Sequence, residues 1–147
     1  MEKEKKNHAE RNAEGHAESI LELYRAFTAL EDGAESVKIE GYDYTDMDSI
    51  RERAEEAALS VQVRSDWHTP GDSDGNSPTE FSILLSTGGP ALRIIGDMGR
   101  HGSPEGEFTI QHQDWGTPWT DYRPDAANSD DWEDALDWFV NCFYFGE

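Results

Sequence analysis

Three groups of side chains in this 147-residue sequence are of kinds that do chemistry. His68, His112 and Asp114 combine imidazole and carboxylate, the partners of an acid–base relay or ligands of a catalytic metal. They would converge only if the first and fourth strands of a sheet were neighbours; otherwise they are ordinary polar residues at a sheet edge. Asp72, Asp74 and Asn76 form a D-x-D-x-N spacing that could collect oxygen ligands for calcium. An EF-hand loop wants glycine at its sixth position and a bidentate glutamate at its twelfth, and counting from Asp72 places Gly75 fourth and Ile83 twelfth. The loop is therefore solvated, or at most a weak metal site. Asp130 and Asp131 could divide general acid and base roles, yet they precede an apolar helical stripe, where a helix start wants negative charge.

Other chemistry is limited. Cys142 is the single cysteine, so neither an intrachain disulfide nor a multi-cysteine zinc site can form, and its apolar neighbours Val140 and Phe143 suit a buried thiol better than a reactive one. His8 and His16 lie in a polar stretch and are expected to be exposed. No G-x-S-x-G elbow, phosphate-binding glycine loop or H-E-x-x-H helix occurs, and GDMGRHGSPEG lacks a helix after it to hold a phosphate. The chain is not expected to be an enzyme or to carry a cofactor or metal; a weak metal-dependent enzyme built on His68, His112 and Asp114 ranks last.

Charge carries more information. There are 32 acidic against 12 basic residues, a formal charge of -20, divided between residues 1–58 (16 acids, 8 bases) and 59–147 (16 acids, 4 bases). Five Trp, five Tyr and six Phe argue against disorder, so the charge belongs to a folded surface. Such a field repels nucleic acid and anionic membranes and attracts basic protein surfaces. Glu10, Glu14, Glu18 and Glu22 step by four along one helix face, and Asp125, Asp130, Asp131, Glu133, Asp134 and Asp137 form a second acidic cluster. Rows of carboxylates can stand where nucleic-acid phosphates would. With only four lysines, local pairing cannot neutralise them. Acidity and scarce lysine also fit a protein adapted to a salt-rich cytoplasm, whose carboxylates serve hydration alone.

These side chains need elements to position them. Ile20, Leu21, Leu23, Tyr24, Phe27 and Leu30 recur at helical spacing until Glu31-Asp32-Gly33, after a charged start over 1–19 that could fray. Val37 and Ile39 suit a short edge strand. Thr45 can cap a second helix through SIRERAEEAAL, completing a helical region over 20–59. Over 60–115 the period changes: SVQVRSDW, TEFSILLST, ALRIIGDM and EFTIQHQDW read as strands separated by turns, too closely spaced for parallel crossovers. Val61, Val63, Phe81, Ile83, Leu85, Leu92, Ile94, Phe108 and Ile110 alternate toward one face. Between 129 and 145, Trp132, Leu136, Phe139, Val140 and Phe143 give one apolar stripe of a final helix, with Asn128 or Ser129 as its cap. The expectation is one α+β domain over 1–147, with two N-terminal helices, an antiparallel meander of four or five strands, and the last helix packed across it. In QHQDWGTPWTDYRP, a bend at Gly116 and Pro118 holds Trp115, Trp119 and Tyr122. It either folds under the last helix to close the core or offers a rigid aromatic anchor to a partner, rimmed by Asp114, Asp121 and Asp125.

From SVQVRSDW through FSILLSTGGPALRIIGDM to QDWGTPWTDY and FYFGE, residues 37–147 resemble small acidic proteins of bacteriophages and mobile elements. The resemblance implies a context, that of anti-restriction and anti-CRISPR inhibitors, and assigns no residue a role. The expected function is stoichiometric inhibition of a bacterial CRISPR or restriction complex by nucleic-acid mimicry. The partner would be a basic nucleic-acid-binding surface, with no direct binding of nucleic acid and no membrane association, in the cytoplasm of the bacterial host. The alternative is a salt-adapted structural or regulatory module.

Overall fold

The computed structural model describes residues 6–65, 67, 69–71, 78–87, 89–99 and 102–145. Helix α1 (His8–Glu31) is set at both ends by local sequence. The Asn7 side chain accepts from the Glu10 N–H at 2.8 Å, and Glu10 accepts from the Asn7 N–H at 3.1 Å, a capping box that satisfies two orphan donors. At the other end Gly33 takes φ +109°, while the Ala34 and Gly33 amides donate to the Ala29 and Leu30 carbonyls. This is a Schellman turn, for which glycine is the low-strain residue. The polar start is helical from His8 onward. Ala9, Ala13 and Ala17 are buried there, a small-residue stripe that lets the helix lie close to its neighbours.

After α1, strands β1 (Val37–Ile39) and β2 (Tyr42–Tyr44) form a hairpin whose two turn residues, Glu40 and Gly41, both have positive φ. That pairing matches the right-handed twist of a two-residue hairpin. Helix α2 (Met47–Glu56) follows, and Asp46 rather than Thr45 caps it, accepting from the Ser49 N–H at 2.8 Å.

The main sheet is an antiparallel meander in sequence order: β3 (Ser60–Arg64), β4 (Glu80–Ser86), β5 (Ala91–Met98), β6 (Pro104–Gln113) and β7 (Thr120–Tyr122). Phe81, Ile83, Leu85, Leu92, Ile94, Met98 and Ile110 are buried toward the helices. Val61 is only half-buried and Val63 is exposed, because β3 is an edge strand far from α1 and α3, which cover β5 and β6. The alternate residues, among them Leu84, Arg93 and Gln111, form a second face with no helix over it among the described residues. Gly96 is required by close packing, since a Cβ there would stand 2.6 Å from the Phe108 ring and 2.7 Å from that of Phe81.

Helix α3 (Trp132–Val140) is shorter than the apolar stripe implied. A 3-10 turn over Asp125–Asn128 precedes it, so neither Asn128 nor Ser129 caps it. Phe143 lies past its end and still packs edge-on against Phe139 at 5.2 Å. Trp132, Ala135, Leu136, Phe139 and Val140 join one core with the α1 stripe and the inner face of the sheet.

Two substitutions close together on α1 separate packing from propensity. Ala13→Leu should destabilise by about 1–3 kcal/mol through overpacking. Gly15 is exposed, and a Cβ added there would meet nothing within 4 Å, so Gly15→Ala should stabilise by about 0.5–1 kcal/mol. Urea denaturation midpoints moving in opposite directions are the expected result.

Candidate acidic interface

The four glutamates of α1 do not share one exposed face. Steps of four overshoot a helical turn by roughly 40° each, so the row winds by roughly 120° between Glu10 and Glu22. Glu10 is used in the cap, Glu18 and Glu22 are exposed, and Glu14 turns inward and is 9% exposed. The Glu14 carboxylate accepts from the Tyr122 hydroxyl at 2.5 Å, from the Asp125 N–H at 2.7 Å and from Lys6 Nζ at 3.2 Å. Burial, reinforced by that carboxylate, pushes the Tyr122 phenol up to about 12. Lys6 also meets Asp125 at 2.6 Å, which is the main reason its ammonium is held well above the ordinary lysine range. Glu14 and Asp125 therefore tie the start of α1 to the end of β7, and are not free carboxylates.

Within the C-terminal cluster, Asp131 is also taken. Arg25 meets it in a two-pronged contact, 3.0 Å on each side, and this guanidinium holds the carboxyl below its usual range. At the N-cap position of α3, Asp131 reaches across to α1 and makes no side-chain cap. Asp130, Glu133, Asp134 and Asp137 remain exposed. Glu133, Asp134 and Asp137 line the α3 side of a groove of about 730 Å³ that Glu107 of β6 and Asp121 of β7 border at the sheet, Asp121 with its carboxylate turned to Gln111 on the helix-free face. Its floor includes Phe108, Ile110, Trp132 and Leu136. The groove's one cation among the described residues, Arg123, is committed to Asn128 Oδ1 at 2.8 Å and the Ala127 carbonyl at 3.0 Å. Asp121 accepts from Gln111 at 2.7 Å, while the other four carboxylates make no ion pair or hydrogen bond among the described residues. An apolar cleft with this rim suits cationic side chains on an apolar stem. Neither helical spacing nor local clustering singles out Glu107; its alternation with Phe108 along β6 marks it as exposed but not as bordering the groove.

The aromatic bend divides its rings among three settings. Trp115 is 83% exposed and lies over Gly89, where any Cβ would collide with the indole Nε1. Trp119 is half-buried beneath the Arg93 guanidinium, 4.2 Å from its ring, on the sheet face away from the helices. Arg93 also donates to Gln111 at 2.8 Å, and desolvation lowers its affinity for its proton. Tyr122 alone points to the core side. The bend thus neither folds as a unit under α3 nor presents the three rings as one patch.

His68, Asp72, Asp74 and Asn76 lie outside the described residues, as does His101. Strands β3 and β6 are separated by β4 and β5, so the first and fourth strands of the sheet are not neighbours. His112 packs against Tyr122 at 5.4 Å, and Asp114 accepts from the Trp115 N–H. Among the described residues no group of three or more His, Cys, Asp or Glu is placed to hold a metal. His8 is exposed as expected but His16 is half-buried, and desolvation lowers its pKa. Burial pushes the Cys142 thiol up to about 12. No helix among the described residues is long and apolar enough to cross a membrane.

Glu14→Ala should cost about 1–3 kcal/mol by stranding the Tyr122 hydroxyl and the Asp125 N–H. Tyr122 is raised in the folded state, so its contribution is complete below the ordinary tyrosine pKa of about 10 and is lost as pH climbs toward about 12. Stability in alkaline denaturation should therefore decline over that window, and Tyr122→Phe should flatten the decline. Comparison with protein families, curated proteins and solved structures found no match.

Proposed function

We propose that this protein inhibits, by stoichiometric binding, a bacterial CRISPR or restriction complex, presenting carboxylates where that complex expects nucleic-acid phosphates. One observation carries the reading. Glu133, Asp134 and Asp137 stand along one groove that Glu107 and Asp121 border, and none of the five has a counter-ion among the described residues. Glu18 and Glu22 on α1 extend the negative field. A basic nucleic-acid-binding surface is the complementary partner, and its association would be fast and salt-sensitive. Nucleic acid itself would be repelled.

A second reading has its own support. Glu31, Asp32, Glu35, Glu52, Glu55 and Glu56 are exposed on α1, α2 and the connection after α1, away from the groove, where dispersed charge serves hydration. In a salt-adapted module, thermal stability would climb steeply from low to molar salt as self-repulsion is screened, and charge reversal in the groove would remove no partner.

The two separate in a pull-down from bacterial lysate with the tagged chain as bait. Under the inhibitory reading, a nuclease or CRISPR surveillance subunit is retained at low salt and released by high salt or added duplex DNA. Reversing Glu133, Asp134 and Asp137 to Lys should lower its recovery by about tenfold or more, with circular dichroism and melting unchanged. Undiminished recovery would remove the groove from the interface.

A further inference from the structure

The sheet does not end cleanly beside the groove. β6 runs over Pro104–Gln113, but β7 pairs only with Ile110, Gln111 and His112. Along residues 104–109, on the side away from β5, no strand lies beside β6 among the described residues. Glu105, Gly106 and Glu107 are exposed, and Phe108 and Thr109 are half-buried. Backbone N–H and C=O groups on such an edge form a template for another extended chain. The groove follows this edge, with Gly106 to Ile110 on the strand side and α3 opposite.

We propose that this edge and groove receive an extended, basic segment of a partner protein, added beside β6 as a continuation of the row that β7 begins. Strand addition draws affinity from main-chain hydrogen bonds and selectivity from where alternate side chains fall. Here the set on the helix side would lie beside Phe108 and Leu136 with Asp134 and Asp137 at their rim, and the alternate set would lie on the Glu107 side of the strand. A second copy of the chain is the wrong occupant, because a net charge of -20 opposes self-association. The edge is guarded against such pairing in two ways: Glu105 and Glu107 repel an acidic strand, and Gly106, at φ +82°, sits where the β5–β6 register shifts between Ile95 and Asp97. The same charges admit a strand rich in Lys or Arg. The irregularity keeps the new ladder short, so the rim charges supply much of the selectivity.

This inference shares with the proposed function only the positive sign of the partner; it does not require that partner to bind nucleic acid. The test uses the full chain and a fluorescent peptide of about ten residues alternating Lys and Val. Three comparisons accompany it: the same peptide with Glu for Lys, the same peptide N-methylated at alternate residues, and the Asp134→Lys/Asp137→Lys variant. Saturable binding of the Lys–Val peptide is expected, with amide exchange slowed over Glu105–Thr109. Binding should weaken about tenfold or more with the N-methylated peptide or the variant, and vanish with the Glu peptide. Absence of Lys–Val binding would overturn the inference. So would equal binding of the N-methylated peptide with β6 exchange unchanged, since that describes charge attraction without strand addition. A failed lysate pull-down leaves this measurement standing, and a failed peptide measurement leaves mimicry by the wider acidic surface standing.

Discussion

The buried carboxylate of Glu14 decides how the two ends of the chain meet. It gathers a phenol, a backbone amide and an ammonium from β7, the following turn and the segment before α1. A carboxylate taken from water is tolerable only when donors such as these compensate its charge. Having met that condition, it fixes the rotation of α1 about its own axis. Ala9, Ala13 and Ala17 then face inward and Glu18 and Glu22 outward. The Arg25–Asp131 pair holds the same helix to the start of α3. With α1 pinned at both places, α3 is held along β6, and the groove is the space left between them.

Charge in this protein falls into two populations. Asp125, Asp131 and Glu14, together with Glu40 and Glu80, meet cations drawn from the scarce supply of bases. Others, such as Glu18, Glu22, Glu107, Glu133, Asp134 and Asp137, have none among the described residues. The first population links elements distant in sequence; the second sets the field felt by an approaching molecule. Exposed pairs contribute little stability singly, so the first group is better understood as fixing geometry than as storing energy.

What the sequence disclosed follows from periodicity. Helical spacing from Ile20 to Leu30 and the alternation over Phe81–Leu85 and Leu92–Ile94 each mark a face that must be buried, and the α+β meander with its helices was legible from them. The signals at α1's start were also present, since Asn7 and Glu10 have capping-box spacing, but the surrounding charge hid them. Charge alone was a poor guide to exposure. Glu14 cannot be told from Glu18 without knowing that Tyr122 and Asp125 arrive beside it from more than a hundred residues away. The groove has the same origin: Glu107, Asp121 and Asp137 sit on three separate elements, and no local pattern records that β7 stops short of the length of β6. Conversely, Trp115 and Trp119 are close enough in sequence to suggest one feature, although the bend at Gly116 sends them to different surroundings.

The meander joins each strand to the next one made, so the sheet can assemble from contacts local in sequence. Helix α1 is different. It is made before the sheet, yet the partners of Glu14 and Arg25 are Tyr122, Asp125 and Asp131, which follow the strands β3 to β6. Its capped ends give it the means to form early, but its buried stripe has nowhere final to rest until β7 and the turn after it have been made. Helices α1 and α3 thus close over the sheet together, and the charged groove beside α3 comes into being only in that step.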